Sequence, residues 1–128
     1  MGTVLVVEDN LSQREMIATV LREGGLDVVS VEDGQEALVQ IDSHAPDVLV
    51  LDIVMPRMSG YEVCRRIRSD PRTSKMPIVF CSSKSEQFDI HWGIKQGADA
   101  YVSKPFSSQE LIRTVKQLLQ RTQESSST

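Results

Sequence analysis

At 128 residues, with 40% hydrophobic and 25% charged content, the chain has the size and composition of one ordinary globular domain. A formal net charge of −4 and a pI near 5.1 leave no footprint for nucleic acid, and no apolar run reaches the roughly 18 residues of a membrane span. The segment Met1–Asp9 has neither the basic n-region nor the cleavage site of a signal peptide. Cys64 and Cys81 fit neither a metal spacing nor a disulfide framework and read as small buried groups in a reducing cytoplasm.

Taken in chain order, short apolar runs alternate with amphipathic stretches. Val4–Val7 reads as a first strand, followed by a helix whose stripe is Met16, Ile17, Val20 and Leu21 and which ends at Gly24-Gly25. Val28–Val31 is the second strand, and Ala37, Leu38 and Ile41 stripe the second helix. Val48–Leu51 precedes a helix carrying Val63, Cys64 and Ile67; Asp70-Pro71 and Met76-Pro77 bracket the loop before Ile78–Cys81. A fourth helix over about Glu86–Gln96 has a blurred period, ending at Gly97. Ala100–Val102 is the fifth strand, and Leu111, Ile112, Val115, Leu118 and Leu119 give the last helix the clearest stripe. Continuous β-branched runs suit strands buried on both faces, and strict alternation predicts an open parallel (βα)5 sheet with helices on both faces. The domain is expected to occupy residues 1–121, with 122–128 a polar, disordered tail.

Ligands of such sheets bind beyond the carboxyl ends of the strands. Those ends carry Glu8-Asp9, Glu32-Asp33, Asp52, Ser82-Ser83 and Ser103-Lys104. Gathering Glu8, Asp9 and Asp52 against one ammonium, Lys104, leaves a repulsive cluster that a hard divalent cation resolves, and Mg²⁺ favours a few carboxylates with phosphate oxygens and water. Helix capping by Asp9 or Asn10, or a Ser12/Glu15 capping box, accounts for one acid but not for two beside a third on another strand.

These residues also carry a family resemblance. Val7-Glu8-Asp9-Asn10, the run Leu51-Asp52-Ile53-Val54-Met55-Pro56-Arg57-Met58-Ser59-Gly60, Ser82, and Tyr101-Val102-Ser103-Lys104-Pro105-Phe106 closely resemble the receiver domains of bacterial two-component response regulators, over residues 3 to about 121. The resemblance implies the flavodoxin-like strand order 2-1-3-4-5 of chemotaxis-type receivers. It implies Asp52 as phosphoacceptor from a phosphohistidine, and Mg²⁺ held by Glu8, Asp9, Asp52 and the backbone carbonyl of Val54. Ser82 and Lys104 would bind phosphoryl oxygens, and a cis Lys104-Pro105 bond would aim the lysine inward. Ser82 and Tyr101 match the family's switch pair: the hydroxyl moves to the phosphoryl group and the ring rotates inward.

Partners implied are a sensor histidine kinase or phosphotransfer protein and a downstream protein target met through the α4-β5-α5 face. Homodimerisation on phosphorylation, a cytoplasmic location, no direct nucleic-acid contact and no membrane insertion are further expectations. The chain is not expected to be an enzyme beyond catalysing its own phosphorylation and dephosphorylation; no phosphate-cradling Gly-rich motif follows any strand, and position 54 is Val rather than the second acid of an aspartyl phosphatase. Serine rather than threonine at 82 implies looser coupling, and Val54 with Lys84 implies self-dephosphorylation that is not unusually fast. The alternatives are a phosphate sink or shuttle without its own output, or a receiver fragment of a larger regulator. His91–Ala98 resembles single-domain regulators from clusters controlling type IV pili, twitching and phototaxis.

Overall fold

The structure is a computed structural model and describes residues 2–126, with side chains through residue 121. Five strands and five helices alternate: β1 Thr3–Val7, α1 Leu11–Glu23, β2 Asp27–Val31, α2 Gly34–His44, β3 Val48–Leu51, α3 Gly60–Ser69, β4 Ile78–Ser82, α4 Gln87–Lys95, β5 Ala100–Ser103 and α5 Ser108–Ser126. The strands form one parallel sheet in the order β2-β1-β3-β4-β5. This is the flavodoxin-like order, and it puts the reversal between β1 and β3.

Each sheet face supports its own core. Leu5, Leu49, Leu51, Ile78 and Phe80 meet the α2–α3 side through Ala37, Ile41, Val63 and Ile67. Val4, Val6, Val50, Val79 and Val102 meet α1 and α5 through Ile17, Leu21, Leu111 and Val115. Alternate residues of one strand thus serve opposite layers, which explains the continuous apolar runs in β1, β3 and β4. The edge strand departs from that expectation: β2 is mostly exposed, with Val29 41% accessible, because among the described residues no strand pairs beyond it. Met16 also departs from the expected α1 stripe. It is 47% exposed and Ala18 is buried in its place, because the buried arc runs through Ile17, Ala18 and Leu21.

Helix ends follow local chemistry. Asn10 caps α1, its Oδ1 accepting from the Gln13 N–H at 2.9 Å; Ser12 lies inside the helix, so no capping box forms there. Gly25 (φ 89°) and Gly97 (φ 117°) take left-handed conformations after α1 and α4, where an L side chain would be strained. The α5 backbone runs helical to Ser126, into the segment expected as a tail. Extending a formed helix through Gln123 and Glu124 requires no new nucleus. The remainder of that segment, residues 127–128, lies outside the described residues.

Candidate phosphoacceptor site

Register brings the strand ends together. Val7 pairs with Leu51 across β1 and β3, so Glu8 and Asp52 are the next residues on adjacent strands, and the Asp52 N–H donates to the Val7 carbonyl at 3.0 Å. Ser82 pairs with Ser103 across β4 and β5, and the Lys104 N–H donates to the Ser82 carbonyl at 2.8 Å. Two sheet-edge bonds therefore fix where the acids and the lysine leave the sheet. Gly60 closes the loop after β3: its N–H donates to the Ile53 carbonyl at 2.8 Å, and a Cβ there would lie 2.2 Å from the Asp52 carbonyl oxygen. Only glycine lets α3 start this close to the loop.

The carboxylates of Glu8, Asp9 and Asp52 each offer an oxygen within 4.8 Å of the others. Glu8 is 2% and Asp52 8% exposed, while Asp9 is exposed, so two of the three acids are withdrawn from water and the third faces it. The Ile53 N–H donates to Asp52 Oδ1 at 2.8 Å, while Oδ2 lies 3.9 Å from the Lys104 ammonium. Burial, and then the negative charge of Glu8, push the Asp52 carboxyl up to about 6; Lys104 and the Ile53 N–H oppose this. A buried acid pushed up by a neighbouring acid marks a site short of positive charge. Oxygen-only donors in that state fit a hard divalent cation such as Mg²⁺.

Lys104 is held elsewhere. Its ammonium bonds to Glu8 Oε1 and to Gln13 Oε1, and its peptide to Pro105 is cis. Glu8 is braced in turn, its Oε2 accepting from the Asn10 N–H at 3.1 Å and its carbonyl from Arg14 Nη1 at 2.8 Å. Sequence reasoning marks Asn10 only as a cap and passes over Gln13 and Arg14. They lie three and four residues beyond Asn10 in α1's first turn, but only the fold sets them beside Lys104 and Glu8.

Ser82 is fully buried, and its Oγ accepts from the Lys84 N–H at 3.3 Å. The Tyr101 hydroxyl donates to the Lys84 carbonyl, and its ring packs edge-on against Phe80, centroids 6.2 Å apart. Burial pushes the Tyr101 phenol up to about 12, so it stays a donor at neutral pH. Val54 follows Asp52 by two residues with its side chain 57% exposed. Glu32 and Asp33 stand apart from the site: Asp33 caps α2 through Glu36 N–H at 2.8 Å and pairs with Arg57 at 3.1 Å.

The 2-1-3-4-5 sheet defines a flavodoxin-like α/β fold, with an acid cluster and one lysine gathered beyond the carboxyl ends of its strands. Residues 4–116 match the response regulator receiver domain family, and the chain belongs to that family. The DNA-binding response regulator MtrA of Mycolicibacterium smegmatis is 40% identical over 121 residues, 94% of this chain and 52% of that protein. The phosphate regulon transcriptional regulatory protein PhoB of Pseudomonas aeruginosa is 38% identical over 120 residues, again 94% and 52%. The chain thus spans about half the length of the curated relatives it matches. Among solved structures, the Francisella response regulator 1452 receiver domain superposes with TM-score 0.89 at 34% identity, over 95% of this chain and 99% of that one. The Vibrio cholerae chemotaxis protein CheY4 gives TM-score 0.85 at 30% identity, over 92% and 98%.

Proposed function

We propose that this receiver takes a phosphoryl group onto Asp52 from a phosphohistidine of a sensor histidine kinase or phosphotransfer protein, and switches protein contacts when it does. The observation that carries this reading is the buried Asp52 carboxylate, pushed up to about 6 beside Glu8 and 3.9 Å from Lys104. The P–N bond to the donor imidazole breaks as a P–O bond to Asp52 forms, giving an acyl phosphate. With Oδ1 engaged by Ile53, Oδ2 on the Lys104 side is the oxygen placed to attack. Glu8, Asp9, Asp52 and the Val54 carbonyl would hold Mg²⁺, which when bound supplies charge neutralisation for the phosphoryl oxygens. Lys104 and the Ser82 hydroxyl would bind the remaining oxygens.

Readout would follow from Ser82 and Tyr101 at the α4-β5-α5 face, where Phe88 and Trp92 stand 73% and 42% exposed on α4. A downstream protein, or a second copy after phosphorylation, would meet that face. A receiver joined to an output domain is the second reading, supported by relatives twice as long whose names include a DNA-binding and a transcriptional regulator. A sink or shuttle role differs in that phosphorylation changes no affinity. Cytoplasmic signalling is in keeping with the absence, among the described residues, of a helix long and apolar enough to cross a membrane. Type IV pilus, twitching or phototaxis control rests on the His91–Ala98 resemblance alone.

Incubation with acetyl phosphate and Mg²⁺, read by intact mass, tests the central step. One phosphoryl group is expected on the wild type and none on Asp52→Asn or in EDTA. A gain that persists in either control overturns the reading.

A further inference from the structure

Lys104 has three N–H donors, and its neighbours divide them unevenly. Glu8 Oε1 takes one and Gln13 Oε1 takes another, while Asp52 Oδ2 at 3.9 Å lies beyond hydrogen-bond reach. The ammonium is thus held by the β1 acid and by an amide from α1, not by the carboxylate it faces. The backbone of Gln13 is fixed: its main-chain N–H donates to Asn10 Oδ1 at 2.9 Å, and Arg14 beside it is anchored to the Glu8 carbonyl at 2.8 Å.

The two acceptors differ in kind. Glu8 is a carboxylate that a divalent cation would draw away from the lysine. Gln13 is neutral, adds no fourth negative charge to the cluster, and keeps its hold whether or not Glu8 turns to a metal. We propose that Gln13 is a positioning residue that fixes the Lys104 ammonium at the rim of the carboxylate cluster, so that its remaining N–H groups face the phosphoryl group arriving at Asp52. This deepens, and rests on, the phosphoacceptor reading of the same site. Without the amide, the ammonium is left on Glu8 alone, and when a cation draws Glu8 away it has no fixed partner and must be recovered before transfer. One hydrogen bond to a charged group corresponds to roughly a tenfold change in rate.

The test is a double-mutant cycle on phosphorylation by acetyl phosphate with saturating Mg²⁺, using Gln13→Leu, Lys104→Met and the double variant. Leucine keeps the volume and helix propensity of residue 13, and an unfolding midpoint close to wild type checks the fold. Gln13→Leu is expected to slow phosphorylation about tenfold in the wild-type background and to have no further effect on Lys104→Met. Gln13→Leu is also expected to shift the ¹⁵Nζ resonance of Lys104, which a merely structural role of residue 13 would leave in place. A Gln13→Leu rate within twofold of wild type, or an equal loss in both lysine backgrounds, overturns the inference while leaving the phosphoacceptor reading standing. A wild-type chain that takes up no phosphate overturns both.

Discussion

Ser82 and Tyr101 are bound to the backbone of one residue: the Lys84 N–H donates to Ser82 Oγ at 3.3 Å, and the Lys84 carbonyl accepts from the Tyr101 hydroxyl. A movement of either side chain therefore acts on the same loop between β4 and α4. A serine hydroxyl recruited to a phosphoryl group at Asp52 donates its own O–H while its oxygen still accepts from the Lys84 N–H, so its displacement pulls on the loop that carries the acceptor of Tyr101. The proposed switch pair is coupled through a covalently continuous piece of chain as well as through space.

This coupling predicts a spectroscopic change. Only Tyr61 and Tyr101 are tyrosines, so fluorotyrosine labelling gives two ¹⁹F lines, assigned with Tyr61→Phe. Beryllofluoride with Mg²⁺, a mimic of the acyl phosphate, is expected to shift the Tyr101 line. The response should shrink in Ser82→Ala, which removes the hydroxyl. A Tyr101 line unmoved by the mimic in the wild type would end the coupling account.

Much of this arrangement is legible in the amino-acid sequence alone. The β1, β3 and β4 runs declare themselves because strands covered on both faces need no polar alternation, and the strand ends then locate Glu8, Asp9, Asp52, Ser82 and Lys104. Met16 and β2 escape because periodicity gives the spacing of a buried face and not its width or its neighbours. Strand order belongs to the family resemblance, since nothing local distinguishes the edge strand. Gln13 stays hidden because an amide in a polar first turn has no periodicity of its own; its meaning depends on Lys104, 91 residues away.

With divalent cations chelated, the site predicts a pH dependence. Asp52 rises to about 6 in the folded chain from an ordinary 3.8, so the folded state binds more protons than the unfolded state between those values. Stability therefore falls as pH rises from about 4 to about 6 and levels off above, by at most about 2–3 kcal/mol at about 1.4 kcal/mol per unit. In EDTA, Asp52→Asn is expected to lack this fall and to be the more stable protein at pH 7.5. Urea unfolding of both proteins across that range measures the difference; parallel curves would refute it.

Mg²⁺ should reverse the penalty. A cation that binds the folded acid cluster and not the unfolded chain adds RT ln(1 + [Mg²⁺]/Kd), about 2.7 kcal/mol at a hundredfold excess over Kd. The midpoint is expected to climb with Mg²⁺ for the wild type and hardly at all for Asp9→Asn, while added NaCl at matched ionic strength does little. Asp9 suits this control because it caps no helix, that task falling to Asn10.

Two glycines beside the site predict opposite sensitivities. A Cβ at Gly60 would stand 2.2 Å from the Asp52 carbonyl oxygen and 2.9 Å from Ile53 Cα, both backbone atoms that cannot yield without moving the phosphoacceptor loop. Gly60→Ala is expected to cost several kcal/mol, on the order of 3, and to abolish phosphorylation. At Gly93, inside α4, the obstacles are ring edges: Tyr101 Cε2 at 3.0 Å and Phe80 Cδ2 at 3.1 Å. Alanine gains about 1 kcal/mol of helix propensity there, which roughly offsets the crowding. Because Phe80 is fully buried and Tyr101 only half-buried, the tyrosine is the ring with room to yield. Gly93→Ala is therefore expected to fold with near-wild-type stability but to displace Tyr101, moving its ¹⁹F line without any phosphate mimic. An unmoved line at unchanged stability would show that α4, rather than the ring, absorbs the added methyl.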